Sequence, residues 1–113
     1  MKNILLAAIL ALPVMVYAST EAQCEISLKD KGTYKGPCTY TNKYKGSFFV
    51  THPDFPKKLK VDGLGVHALI NDNALIENAK NFGYGKVLGT AHATLKNDVL
   101  CLKSKEIKFC VWE

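Results

Sequence analysis

A chain of 113 residues holds one domain at most, and 15 basic residues against 10 acidic ones leave it at +5. Every basic residue is a lysine, so the arginine forks that read base edges are lacking, which argues against sequence-specific nucleic-acid recognition. A lysine surplus suits acidic partners or anionic surfaces, and it also keeps strand edges soluble.

The first segment reads as an export signal. Lys2 gives a positive start, Ile4 to Met15 is an apolar run, and Val16-Tyr17-Ala18 offers small residues where a signal peptidase cuts. The run is shorter than the roughly 20 residues that span a bilayer. The expected organisation is a signal peptide over 1–18 and one secreted or periplasmic domain over 19–113, with no transmembrane segment after cleavage. All four cysteines, Cys24, Cys38, Cys101 and Cys110, fall in that domain, and an even count after an export signal reads as two disulfides.

The stretch CEISLKDKGTYKGPC opens the domain. With Asp30-Lys31-Gly32 as a three-residue loop closed by Gly32, the pairing is 28 with 34, 26 with 36 and 24 with 38. Cys24 then faces Cys38, and Leu28 and Tyr34 lie on the same side as the bridge. Asn42 to Gly46 is a turn, and Ser47 to Thr51 a strand rich in aromatic and β-branched residues. His52-Pro53-Asp54-Phe55-Pro56 interrupts the sheet. Leu59 and Val61 alternate with Lys58 and Lys60 as on a half-buried strand, and Asp62-Gly63 turns the chain into a strand over Val66 to Ile70. After Asn71-Asp72-Asn73, Ala74 to Lys80 tolerates a helix but sits among strands and is assigned as one. Val87 to Leu95 is a strand with Gly89, Ala91 and Ala93 on one side, where a bulky group such as Trp112 has room to pack. Asn97-Asp98 is a turn. In Cys101 to Cys110 a loop centred on Lys105-Glu106 sets Cys101 opposite Cys110 and Leu102 opposite Phe109. The favoured bridges are therefore 24–38 and 101–110, against a long-range pairing that would tie the ends together. The expected fold is all-β: a small antiparallel meander of seven or eight strands that curls into a sandwich or barrel, with two disulfide-stapled hairpins.

Gly36-Pro37-Cys38, Gly46-Ser47-Phe48, Leu88-Gly89-Thr90, Cys101 and Cys110-Val111-Trp112 form an ordered series. It resembles a loose group of small secreted proteobacterial proteins with a GPC…GSF…LGT…C…CxW layout. Members tend to carry tryptophan after the third cysteine, where this chain has Leu102. The resemblance implies secretion, two bridges and a β fold, and no chemistry.

Three histidines, His52, His67 and His92, have no metal-ligand spacing, so neither a metal nor another cofactor is expected. Two of them with Lys86 could serve a small basic hydrolase: His67 and His92 as acid and base on a phosphodiester, Lys86 steadying the phosphate. Binding to anionic membrane surfaces is a third reading. Serine catalysis lacks a nucleophile elbow. The favoured function is a small binding protein of inhibitor or immunity type with a protein partner. Its recognition edge is assigned to Tyr40, Lys43, Tyr44 and Lys45, where tyrosines and lysines interleave around a turn.

Overall fold

The computed structural model describes residues 18–42, 46–80 and 83–113. Eight strands run in chain order: β1 (Ala18–Leu28), β2 (Gly32–Asn42), β3 (Ser47–Thr51), β4 (Gly63–Ala68), β5 (Asn73–Lys80), β6 (Gly83–Lys96), β7 (Val99–Lys103) and β8 (Ile107–Trp112). Each pairs antiparallel with the next, and β8 returns to β1, so the meander closes into a barrel. Closure is what such a short sheet gains most from, because it removes the two long edges and leaves only overhangs, such as residues 18–22 of β1 beyond the reach of β8. One helical turn, α1 (Phe55–Lys58), lies between β3 and β4.

The side-chain alternation sorts every strand into an inner and an outer face. Cys24, Ile26 and Leu28 of β1, Tyr34 and Cys38 of β2, Phe48 and Val50 of β3, Leu64 and Val66 of β4, and Ile107, Phe109 and Val111 of β8 are buried together inside. Cys24–Cys38 lies within this core. Cys101 and Cys110 occupy the opposite parity from Leu102 and Phe109, so Cys101–Cys110 staples the outer wall.

Both expected bridges form, and Cys101↔Cys110 and Leu102↔Phe109 pair in the expected register. The first hairpin differs. Its partners are Leu28↔Gly32, Ile26↔Tyr34, Cys24↔Gly36 and Ala22↔Cys38, two residues away from the expected pairing. The loop is Lys29-Asp30-Lys31, with Asp30 at φ 64° and the Lys31 amide donating to the Leu28 carbonyl. Gly32 belongs to the strand, and its lack of a side chain serves packing: a Cβ there would stand 2.1 Å from the Lys58 carbonyl oxygen, at φ 120°. The bridge joins diagonal neighbours whose Cα atoms are 5.9 Å apart, a separation disulfides accept.

The strand expected through Leu59 and Val61 is replaced by α1 and a turn. Pro56 sits in the first helical turn, where its missing N–H costs nothing. Phe55 and Leu59 then fall one turn apart and both point into the barrel, fully buried, with Val61 beside them. Tyr34 meets the Phe55 ring edge-on, with centroids 5.0 Å apart. At the same end the Lys29 amide donates to the Glu106 carbonyl, 2.9 Å away, tying two turns together. This end of the barrel is plugged.

Segment 74–80 is strand, within β5. The bulky neighbour over Gly89 is Ile107, whose Cδ1 lies 3.4 Å from where a Cβ would be.

Candidate functional site: the open end of the barrel

The other end carries the start of β1, the ends of β2 and β8, the β4–β5 loop and the β6–β7 turn. Its inner wall is built largely from small residues. Ala22, Ala68, Ala74 and Ala93 all fall on the inward parity in the last layer of the barrel. The interior there stays open as two adjoining cavities of about 470 and 280 Å³. Tyr40, Asn42 and Leu100 line both. Tyr40 stacks on Phe48 with centroids 4.8 Å apart, and its hydroxyl donates to Asn42 Oδ1 at 3.0 Å. Burial pushes the Tyr40 phenol above its ordinary pKa. Trp112, Asp98 and Glu113 stand at the margin of the larger cavity.

The rim is apolar. Leu69 and Ile70 of the β4–β5 loop are 47% and 80% exposed, and Leu95 at the end of β6 is 72% exposed. The loop is preformed. Asn71 and Asp72 take φ of 58° and 59°, and the Asn73 amide donates to the Ile70 carbonyl at 3.2 Å, closing a tight hairpin turn. The Ala93 amide donates to the Asp72 carbonyl at 2.6 Å, which fastens the loop beside the end of β6 that carries Leu95.

Of the recognition edge assigned from sequence, Tyr40 sits at this end, facing inward and partly buried. Lys43, Tyr44 and Lys45 lie outside the described residues. β2 ends at Asn42 and β3 begins at Ser47, both at this rim. The rim leucines and Ile70 were missed by sequence reasoning. The signal was there, two apolar residues directly before Asn71-Asp72, but it was absorbed into the preceding strand.

The histidines do not converge. His52 accepts from the Asp54 amide at 3.1 Å next to α1, at the plugged end. His67 and His92 both face outward and are separated by β5, roughly 10 Å at the usual strand spacing. Lys86 is exposed on β6. Among the described residues no group of three or more His, Cys, Asp or Glu side chains could hold a metal ion.

On the outer wall, Ser47, His67 and Glu77 form a chain across β3, β4 and β5. Ser47 Oγ is 3.0 Å from His67 Nδ1, and His67 Nε2 is 3.1 Å from Glu77 Oε2. A neutral imidazole that donates from Nε2 to the carboxylate and accepts from the serine satisfies both contacts. The arrangement has the order of a nucleophile, base and orienting acid. β4 is paired on both sides, and β3 on both sides from Phe48 to Thr51, so most backbone N–H groups around the chain are committed to ladders and are not free to act as oxyanion donors. The chain therefore reads as a satisfied polar strap across three strands.

Compared with known proteins, the chain matches no family model, no curated protein and no solved structure. Two disulfides in so small a barrel fit a chain that matures outside the reducing cytoplasm. Among the described residues no helix is long and apolar enough to cross a membrane.

Proposed function

We propose that the protein is an exported binding protein, working in the periplasm or outside the cell, that grips a protein partner with the open end of its barrel. The export signal read in residues 1–18 and the two bridges support the compartment. The observation that carries the binding reading is the apolar rim. Leu69, Ile70 and Leu95 project into solvent from one end of the barrel, two of them on a turn locked by hydrogen bonds. Apolar side chains on a rigid exposed turn add nothing to the core, and they contribute strongly when a partner covers them. The mature domain, with 14 lysines against 10 acids, carries +4, which favours approach to acidic proteins at long range, while Asp72, Asp98 and Glu113 stand at the mouth itself. A cell-wall hydrolase or a delivered toxin, held inactive by the rim, fits this size, rigidity and compartment.

The test uses residues 19–113 as bait in a periplasmic extract, beside the variants Ile70→Asp and Leu95→Asp. A partner retained in equimolar amount by the wild type should fall by about tenfold in retention on each variant, at unchanged melting temperature. Equal retention by the variants would remove the rim from the interaction, and no equimolar partner would remove the binding reading.

A further inference from the structure

We infer that the open interior at the barrel mouth is a chamber for one small neutral amphiphile, an apolar body with a single hydroxyl or carbonyl end. Eight strands enclose an interior that side chains either fill or leave just large enough for one small ligand. Here the filling changes along the axis. Toward α1 the interior is packed solid by Phe55, Leu59 and Phe109, all fully buried. Toward the mouth the inward positions shrink to alanines, and about 470 Å³ stays open beside Tyr40, with a further 280 Å³ across it. Volumes of that order suit small-molecule sites.

The lining sets the class of occupant. Leu100, Val111 and the Tyr40 ring present apolar surface. The Tyr40 hydroxyl spends its proton on Asn42 Oδ1, which leaves the Asn42 amide N–H groups to meet an acceptor on the ligand. Both groups are uncharged, and Asp98 and Glu113 stand only at the margin, so a charged end seated between Tyr40 and Asn42 would lose its hydration without a counter-ion in contact. The chamber shares Leu69 with the rim, but neither Ile70 nor Leu95 lines it, so failure of either reading leaves the other standing.

The experiment is a fluorescence titration of the mature domain with N-phenyl-naphthylamine, a neutral apolar probe. Trp112, the sole tryptophan, borders the cavity and serves as energy donor. Saturable binding of one probe per chain in the micromolar range, displaced by decanol, is expected. Thr20→Phe, on the wall of the larger cavity, and independently Ala93→Phe, on the wall of the smaller one, should each weaken binding by about tenfold while the melting transition stays cooperative. Ile70→Asp should leave it unchanged. Non-saturable binding, or undiminished binding to a folded Thr20→Phe or Ala93→Phe domain, would overturn the chamber. Displacement by decanoate or decylamine about tenfold better than by decanol would overturn the neutral end group.

Discussion

Two tyrosines show how single side chains tie this barrel to pH. Tyr34 packs against Phe55 and gives its hydroxyl proton to the Pro37 carbonyl, while Tyr40 gives its own to Asn42. Burial raises both phenol pKa values, and the nearby Asp54 carboxylate raises that of Tyr34 further. In the unfolded chain each phenol ionises near its ordinary value of about 10. The native state therefore holds protons that the unfolded state releases. The stability this confers is complete below about pH 10 and is lost as pH rises through the elevated native values. Thermal melts across the alkaline range should show the transition falling once pH passes about 10, with a shallower fall in Tyr40→Phe. That variant should also be less stable at neutral pH by about 1 kcal/mol, the worth of one hydrogen bond. An equal alkaline slope in the variant would remove Tyr40 from the effect.

At the scale of elements, the two staples look alike in sequence and do different things. Their spacings of 14 and 9 residues give chain-entropy contributions of about 3 kcal/mol each. Cys24–Cys38 is also part of the interior packing, with Cys24 fully buried, whereas Cys101–Cys110 clips the outer wall of β7 and β8. Replacing the inner pair by alanine should therefore cost more than replacing the outer pair, by about 1–3 kcal/mol of lost packing. Denaturant titration of the two double variants measures the difference, and equal losses would place the bridges on an equal footing. The outer hairpin was legible to the residue because its register follows from a central turn and two cysteines directly opposed. The inner one was legible as a bridge and not as a register. Gly32 looked like a turn residue, but its true constraint is the Lys58 carbonyl, 26 positions away in sequence. No local rule carries that contact. The same holds for α1: Leu59 and Val61 alternate like a strand, while two prolines and the need to plug the barrel turn the segment into one helical turn.

The whole molecule is polarised along its axis. One end is closed by α1, by packed aromatic rings and by the hydrogen bond between two turns; the other is walled by alanines and rimmed by exposed Leu69, Ile70 and Leu95. Local opening should follow this asymmetry, because regions with little buried apolar packing open at low free energy. Native-state hydrogen exchange is expected to find the slowest amides in β1, β2 and β8 near α1. Residues 69–72 and the ends of β6 and β7 at the mouth should exchange fastest. The reverse order would show that the mouth is rigidly packed and would weaken both binding proposals. The rim and chamber could be found only at this scale. Inward alanines at 22, 68, 74 and 93 lie on four different strands, and only closure gathers them into one layer.

The sequence by itself determined the strand-rich character, the turns at Asn71-Asp72 and Asn97-Asp98, and which cysteines join. All of these follow from alternation, backbone preference and loop length, which act over a few residues. Tertiary structure alone decided that the meander closes, that β1 meets β8, that Gly32 lies against α1 and that the mouth is left open. Those features rest on contacts between distant segments, where the available space, and not local preference, selects the arrangement.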